Sequence, residues 1–266
     1  LETGRIEWGF SGQFISPDLV PSIQPVFVKT FELDKKPESA RLYLCCLGVY
    51  EVYINGSRVG EEVLAPGITV YEHYVQYQTY DAGSMLHRGE NLIEVIAGDG
   101  WYKGLYGYRQ NNEYRKGKAF ELLADLYVDG VLALCTDLSW QVKKSKIIFS
   151  DIYDGEYRDD TLEDSARFPV KAGNLDKGVV KERLGLPVKV KEIRKPKALI
   201  TTSKGETVLD MGQNMVGWVA FNCREKRGTK ISLEHGEVLQ DGCFYNKNYR
   251  TAKARYDYIS DGQQKK

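Results

Sequence analysis

The segment from Arg41 to Gly60, RLYLCCLGVYEVYINGSRVG, constrains the fold of this chain most strongly. Tyr50, Val52 and Ile54 alternate with Glu51 and Tyr53. The next two residues, Asn55 and Gly56, tolerate the positive φ of a type I′ turn. This pattern predicts a β-hairpin. The run from Leu42 to Leu47 is apolar on both faces, which predicts a strand covered on both sides.

Strand-sized runs recur along the rest of the chain, with turn signals after roughly every ten residues. FELLADLY fits a helix or a strand by its pattern alone, and the Asp129-Gly130 turn signal after it favours a strand. We therefore predict an all-β fold with two β-sandwich (jelly-roll-like) domains, the second of them truncated. The predicted strands are PVFVKTFEL, YVQYQTY, NLIEVIA and FELLADLY in the first half, and VKVKEI, KALITTS, TVLDMG, GWVAFNCRE and TKISLEHGEVL in the second half.

Composition shifts along the chain predict the domain boundaries. Residues 1–24 combine Trp8 and two phenylalanines with Gly, Ser and Pro, and they predict an N-terminal arm. The first β-sandwich domain is expected over residues 25–168, with the charged stretch from Asp154 to Asp164 leaving its sheet. Residues 169–185 are polar and rich in Lys and Gly, which predicts a linker, and residues 186–266 form the predicted second domain.

Charge and hydropathy argue against two classes of partner. The chain has 37 basic and 37 acidic residues, so no overall field attracts nucleic acid or an anionic membrane. No stretch approaches the ~20 apolar residues of a membrane span. We expect neither nucleic acid nor a membrane among the partners.

The cysteine pattern indicates whether the protein works in a reducing or an oxidising compartment. Their number is odd, their spacing is wide, and they form no CxxC pair, so neither a zinc site nor a disulfide framework fits: Cys45, Cys46, Cys135, Cys223 and Cys243. Small buried thiols in a reducing compartment are the simpler interpretation. Together with the absence of an apolar signal core in LETGRIEWGF, this favours a cytoplasmic location.

Several long motifs carry a resemblance to a known family. VYEVYINGSRVGEEVLAPGITVYEHYVQYQTYD and GENLIEVIAGDGWYKG closely resemble the N-terminal β-sandwich module of bacterial α-L-rhamnosidases. VLDMGQNMVGWVAF, GTKISLEHGEVLQDGCFY and NYRTAKARYDYI look like the next β-sandwich domain of the same family, in the same order. Together these motifs cover roughly Val26 to Ile259.

The resemblance implies an enzyme whose active site lies elsewhere. In that family a helical (α/α)6 barrel follows the β domains and hydrolyses rhamnosides with inversion, using a general acid and a general base. Inversion needs two carboxyl groups about 6.5–9.5 Å apart. We expect this chain to end before such a barrel, and therefore to be an inactive accessory fragment of an α-L-rhamnosidase that acts on rhamnose-containing glycosides.

The residues themselves predict no catalytic constellation. Glu234 and Glu237 flank His235, but on a strand the two glutamates point to opposite faces, which is poor geometry for joint acid and base work. The histidines lie in separate stretches, and no HExxH, GxSxG or phosphate-binding glycine loop is present. We assign no catalytic residue.

Two loops form the better functional candidate: Gly98 to Gly104 (GDGWYKG) and Ser150 to Arg158 (SDIYDGEYR). Each follows an apolar strand, so both are expected to converge, either at one end of the sandwich or on one concave face. The predicted calcium ligands, chosen for their carboxylate oxygens, are Asp99, Asp151, Asp154 and Glu156. The predicted sugar-binding residues, which add flat aromatic faces, are Asp99, Trp101, Tyr102 and Tyr106.

The family resemblance also bears on this site. In some members the module binds rhamnose through calcium, near the loop that matches Gly98 to Trp101. Those members carry a second polar ligand where this chain has Gly100. In the structural alternative, the glycines make tight turns, Trp101 plugs the end of the sandwich, and Asp99 caps a backbone. Likewise, the Gly212–Asn214 segment and Trp218 are candidates for seating the barrel. In the structural alternative, Gly212 and Gly217 simply permit tight strand bends.

Three hypotheses of different class follow from the sequence. The first is the accessory portion of an α-L-rhamnosidase, with the catalytic domain of its parent protein as partner. The second is a free-standing carbohydrate-binding module, which predicts binding of rhamnose or calcium by the isolated chain. The third is a complete small glycosidase, which predicts turnover of an aryl rhamnoside.

Overall fold

A computed structural model of the chain describes residues 9–18, 24–105, 119–163 and 165–263. The described residues are mostly strands and loops, which confirms the all-β prediction. They include one α-helix, α1 (Gly100–Lys103), and 3-10 turns at Gly83–Met85, Lys177–Val179 and Lys247–Tyr249. No helix among them is long and apolar enough to cross a membrane.

The strands fall into two groups along the chain. Those of the first part are β1 (Ile15–Pro17), β2 (Pro25–Leu33), β3 (Ala40–Leu47), β4 (Val49–Ile54), β5 (Ser57–Arg58), β6 (Val75–Asp81), β7 (Gly89–Gly98), β8 (Glu121–Val128), β9 (Val131–Cys135), β10 (Gln141–Lys144), β11 (Ile147–Asp151), β12 (Gly155–Asp159), β13 (Phe168–Ala172) and β14 (Val180–Glu182). Those of the second part are β15 (Ala198–Thr201), β16 (Thr207–Asp210), β17 (Lys230–Glu234), β18 (Val238–Gln240), β19 (Cys243–Tyr245) and β20 (Arg255–Ile259).

Twelve strands of the described residues form one large sheet that folds over itself. Its order is β14-β6-β3-β8-β1-β13-β10-β2-β7-β4-β5, with β9 added beside β8. Side chains of β3 and β8 share one buried cluster with those of β2, β4 and β7, for example Leu44, Leu122, Phe27, Val52 and Ile93. The sheet therefore encloses the core of a β-sandwich, because its two layers bury their facing side chains together.

The predicted central hairpin is confirmed. Asn55 and Gly56 both have positive φ, at 50° and 77°, and Ile54 pairs with Ser57 across the turn. Strand β3 is buried on both sides, as its apolar run predicts. Cys46 belongs to the core between the layers, whereas Cys45 packs in a second cluster on the outer face of β3.

Two segments outside the predicted domains contain strands where the sequence predicts none. The predicted arm supplies β1, which pairs with β8 and β13 and buries Ile15 completely. The predicted linker, residues 169–185, contains most of β13 and all of β14, and β14 pairs in parallel with β6. Backbone pairing with the sandwich, which composition does not reveal, holds both segments.

A second sheet joins distant parts of the sequence. Its order is β11-β12-β20-β17, and β12 lies parallel to β20 from Glu156↔Tyr256 to Asp159↔Ile259. The expectation that the charged stretch after Asp154 leaves the sheet is wrong, because residues 155–159 form β12. The predicted first domain therefore donates a hairpin, β11–β12, to a sheet that the C-terminal strands complete.

The C-terminal part matches its predicted strands only in part. The strands predicted in KALITTS, TVLDMG and TKISLEHGEVL are present, as β15, β16, β17 and β18. VKVKEI and GWVAFNCRE form no strand, and VKVKEI contributes only an isolated bridge between Lys189 and Glu62. Two two-stranded sheets, β15–β16 and β18–β19, complete the described structure.

Candidate functional site

The loop from Gly98 to Gly104 folds into the short helix α1 at the end of β7. Gly100 has φ +53°, and a Cβ atom added to it would lie 2.5 Å from Val49 Cγ1. Gly104 is equally confined, because an added Cβ would lie 2.7 Å from Asp151 Oδ2. The glycines of this loop therefore allow close packing of its backbone against neighbouring residues.

Asp99 lies just before α1 and makes no capping hydrogen bond from its side chain. Its Oδ1 atom is 3.9 Å from Lys103 Nζ, and Lys103 Nζ also lies 3.8 Å from the centre of the Phe120 ring. Burial raises the pKa of the Asp99 carboxyl, and Asp151 raises it further, while Lys103 and Gln24 lower it. Burial likewise lowers the pKa of Lys103. Asp99 is thus one half of a partly buried ion pair.

Asp151 connects the two predicted loops. Its Oδ2 atom accepts a hydrogen bond from Leu105 N at 2.6 Å, and its Oδ1 atom accepts from Tyr153 N at 2.7 Å and from Asp154 N at 2.9 Å. The two loops therefore meet at one end of the sandwich, as expected. Much of the hydrogen-bonding capacity of this carboxylate is used to hold the backbone of both loops.

Asp154 and Glu156 have different environments. The side chain of Asp154 is only 6 % exposed, and its Oδ2 atom accepts from Lys253 Nζ at 2.9 Å. Glu156 lies on β12, where burial and the neighbouring Glu51 raise the pKa of its carboxyl and Arg158 lowers it. The sequence places both near Asp151, but in the described structure the side chain of Asp154 bonds to Lys253 instead.

Of the four predicted calcium ligands, Asp151 uses both oxygens and Asp154 uses one oxygen to accept bonds from protein donors. Within the described residues, no group of three or more His, Cys, Asp and Glu side chains is close enough to hold a metal ion. Two buried acceptors in that part of the chain, Gln24 Oε1 and Asp154 Oδ1, have no hydrogen-bond partner. Such atoms ordinarily receive a water molecule or an ion. The calcium site stays a prediction.

The predicted sugar-binding aromatics do not form a common open surface in the described structure. Tyr102 is only 7 % exposed, and its ring packs edge-on against Tyr71 at a centroid distance of 5.1 Å. Trp101 is partly exposed. Tyr106 lies outside the described residues. In this conformation Tyr102 fills the outer cluster beside β3, where its ring faces protein.

The structure adds residues to this region that the sequence does not reveal. Besides the Lys253–Asp154 ion pair, Tyr153 Oη and Thr251 Oγ1 lie 2.9 Å apart, and Lys253 N donates to Tyr153 O at 3.2 Å. These contacts bring residues 251–253 onto the Asp151–Asp154 loop. Because about 100 residues separate the partners, no local sequence pattern could have indicated them.

The two C-terminal glutamates considered for catalysis are bound by separate neighbours. Glu234 Oε1 is 3.3 Å from Arg255 Nη1, and Glu237 accepts from Asn214 Nδ2 at 3.4 Å and from Asn248 Nδ2 at 3.2 Å. His235 binds the carbonyl oxygen of Ala254 through Nδ1. Glu234 and Glu237 therefore bond to different neighbours, and no contact joins the two carboxylates as an acid and base pair in the described structure.

Comparison with known protein families gives two matches in succession. Residues 35–192 match the model described as the α-L-rhamnosidase N-terminal domain. Residues 200–266 match the model described as the bacterial α-L-rhamnosidase concanavalin-like domain. The junction between the two matches lies between residues 192 and 200, C-terminal to the predicted linker.

Curated relatives carry the same family name and are much longer. An α-L-rhamnosidase of Streptomyces avermitilis is 36 % identical over 246 residues, which is 86 % of this chain and 24 % of the relative. One from an Alteromonas species is 31 % identical over 261 residues, covering 92 % of this chain and 28 % of the relative. The chain thus spans about a quarter of the length of the curated relatives it matches.

Solved structures show the same fold. The crystal structure of a native α-L-rhamnosidase from Aspergillus terreus superposes with a TM-score of 0.88 at 33 % identity, over 95 % of this chain and 32 % of that one. The Streptomyces avermitilis α-L-rhamnosidase, complexed with L-rhamnose, superposes with a TM-score of 0.83 at 33 % identity, over 91 % of this chain and 25 % of that one.

Proposed function

Because this chain belongs to the α-L-rhamnosidase family through its N-terminal domain, we propose that it is the non-catalytic β portion of such an enzyme. In this proposal the parent protein removes terminal α-L-rhamnose from glycosides by an inverting mechanism, in a helical barrel outside this chain. The observation that carries the proposal is the succession of two family matches over residues 35–192 and 200–266, in the order that the sequence motifs predict.

The described residues support a bracing role for the β units. From residue 186 onward, the buried apolar side chains of the described structure are only Cys223, Cys243 and Tyr258. Many large apolar side chains of the same region are exposed, with Leu186, Ile193, Val216 and Trp218 among them. Exposed apolar surface of this extent is typical of an interface with another protein layer. The parent's catalytic domain is the partner that we propose.

Sugar binding is the second candidate function. Asp99, Asp151 and Asp154 lie at one end of the sandwich, and the buried acceptors Gln24 Oε1 and Asp154 Oδ1 have no partner in the described part of the chain. A calcium ion would supply the positive charge that such oxygens prefer. The first-domain module would then act as a lectin-like site for rhamnose-containing glycosides.

Calorimetric titration with L-rhamnose, with and without calcium, separates these functions when it is paired with an aryl-rhamnoside hydrolysis assay. The accessory role predicts no turnover by the 266-residue chain, and turnover by a polypeptide that also contains the barrel. Binding that requires calcium and is lost in Asp99→Ala would add the lectin-like function. Turnover by the 266-residue chain would overturn the proposal and favour a complete small glycosidase.

A further inference from the structure

Strand β17 lies at one edge of the second sheet. It pairs with β20 on one side, and within the described residues no strand pairs with its other side. Its side chains alternate, because Lys230, Ser232 and Glu234 are exposed whereas Ile231 and Leu233 are half-buried. An edge strand of this kind presents a row of backbone N–H and C=O groups with which another chain can pair.

The backbone groups of β17 that face this outer edge belong to alternate residues. His235 N donates to Ala254 O, and Ser260 N donates to Thr229 O, each at 3.0 Å. In an antiparallel pair, residues that exchange hydrogen bonds with the partner alternate with residues whose N–H and C=O point away from it. The odd-numbered residues of β17 therefore bond to β20, and the three even-numbered residues direct their backbone groups to the outer edge.

The sequence of β17, KISLE, is complementary to itself in one antiparallel register. When two copies pair around a twofold axis at Ser232, Lys230 of each copy lies opposite Glu234 of the other, and Ile231 lies opposite Leu233. Opposite charges that face each other across two strands stabilise their pairing. A lysine on an edge strand ordinarily discourages pairing, but this register gives it an acidic partner.

Backbone geometry selects the same register. A twofold axis perpendicular to the sheet leaves each side chain on its own face, so even-numbered residues must oppose even-numbered residues. Centring the pair on Ser232 brings all three outward-facing residues into hydrogen-bonded positions. Centring it on Ile231 or Leu233 uses only two of them and places Lys230 or Glu234 opposite Ser232.

We propose that β17 is a dimerisation edge, at which two copies of this chain join their second sheets into one continuous sheet. A second copy is the partner because the charges and the apolar side chains of β17 match those of its own sequence. The interface is small, so we expect a weak dimer that forms at high protein concentration. The proposal does not depend on the rhamnosidase function, since it uses only β17 and its pairing with β20.

Two charge reversals test the proposal by sedimentation velocity. Lys230→Glu and Glu234→Lys should each lower the association constant of the dimer roughly tenfold or more, because each variant places like charges opposite each other twice. An equimolar mixture of the two variants should restore dimerisation, since every facing pair is then opposite in charge. Homodimers of both variants, or a mixture that stays monomeric, would overturn the proposal.

The mixture separates pairing between copies from damage within one copy. Lys230 also contacts Asp257 at 3.0 Å, and Glu234 contacts Arg255 at 3.3 Å, so each reversal disturbs its own chain. That disturbance persists in the mixture, and only the contact between copies is repaired. Reversal of the exposed Lys189–Glu61 pair is the control and should leave dimerisation unchanged.

Ser232→Cys tests the register by a covalent cross-link. Opposed residues of a hydrogen-bonded antiparallel pair have Cα atoms about 5.5 Å apart, which suits a disulfide. With oxidised glutathione as the oxidant, this variant should form a cross-linked dimer. Ser84→Cys is the control, at an exposed serine in the Gly83–Met85 turn, and it should not. Equal yields from the two variants would overturn the proposal.

Hydrogen exchange tests the proposal without any substitution. As the protein concentration rises, the amides of Lys230, Ser232 and Glu234 should become protected, whereas those of Ile231 and Leu233, which bond to β20, should not change. Protection of the same three amides at every concentration would overturn the proposal, because another part of the chain would then cover this edge. Assemblies larger than a dimer would also overturn it, since they indicate an open head-to-tail contact.

Discussion

Lys253 Nζ lies 2.9 Å from Asp154 Oδ2, and this ion pair ties a loop of the C-terminal region to the loop that follows β11. The two side chains differ in exposure, since that of Lys253 is 67 % exposed and that of Asp154 only 6 %. The second oxygen of Asp154 has no hydrogen-bond partner in the described residues. Lys253 is therefore the main compensation for a buried carboxylate.

Lys253→Met should destabilise the chain by about 1–2 kcal/mol, because it leaves a buried carboxylate without its cation. Urea denaturation of both proteins measures the difference. Lys189→Met is the control, since Lys189 pairs with the well exposed Glu61 at 3.1 Å, and loss of such a pair should cost about 0.5 kcal/mol or less. Equal effects of the two substitutions would show that the Asp154 pair is solvated.

Asp151→Ala should cost about 2–4 kcal/mol, because three backbone N–H groups lose their acceptor at once. Asp151→Asn should have a smaller effect, since the remaining amide oxygen can still accept from Tyr153 and Asp154. Denaturant titration gives both values. If the alanine variant were as stable as the wild type, Asp151 would not hold the two loops together.

Gly155→Ala should disrupt the pairing of β12 with β20. Gly155 has φ +88°, and an added Cβ would lie 1.8 Å from the Arg255 carbonyl oxygen, so the backbone must separate. Gly130 offers a matched control, because it has φ +81° and open space around it. Gly130→Ala should cost about 1 kcal/mol from its backbone conformation alone, whereas Gly155→Ala should cost at least twice as much. Hydrogen exchange of the Tyr256–Ile259 amides would localise the loss.

Glu156→Gln should stabilise the chain at pH 7 and have no such effect at low pH. Burial raises the pKa of Glu156 in the folded state, so the folded protein binds more protons than the unfolded chain above the unfolded pKa of about 4.3. Stability from this group therefore falls as the pH rises through that window, and glutamine removes the loss. Thermal melts of both proteins between pH 3 and pH 8 test the sign. A constant difference across that range would show that the Glu156 charge is not involved.

The first-half strands could be predicted because their signals are local. Asn55-Gly56 and Asp129-Gly130 both have the positive φ values that their hairpin turns require, and the apolar alternation of β7 appears directly in its buried side chains. FELLADLY shows the limit of such patterns. It fits a helix equally well, and the turn signal after it decided correctly for strand β8.

The failures arise where pairing with distant residues decides the structure. Residues 155–159 look like a charged exit from the sheet, yet parallel pairing with β20 makes them a strand. VKVKEI has the alternation of a strand, but among the described residues its only β-bridge is the isolated one between Lys189 and Glu62. Strand propensity depends on such context more than helix propensity does.

In the candidate site, too, local features could be predicted and long-range contacts could not. The sequence pattern correctly predicted that the loops of Asp99 and Asp151 lie close together, because each loop follows an apolar strand of the same sandwich. It could not show that Tyr102 turns inward against Tyr71, or that Lys253 occupies one oxygen of Asp154. Side-chain direction at the end of a short helix, and contacts across about 100 residues of sequence, leave no periodic signal.

The parallel pairing of β12 with β20 also determines when the second sheet can form during synthesis on the ribosome. Tyr256 emerges about 100 residues after Glu156, so at a synthesis rate of roughly 5–20 residues per second the β11–β12 hairpin waits about 5–20 s for its neighbour. The strands of the large sandwich, which are encoded before Arg183, are available throughout that interval. Assembly therefore proceeds from a finished N-terminal template, and an unpaired edge of β12 is the surface on which a nascent chain would be most open to chaperones or misassembly.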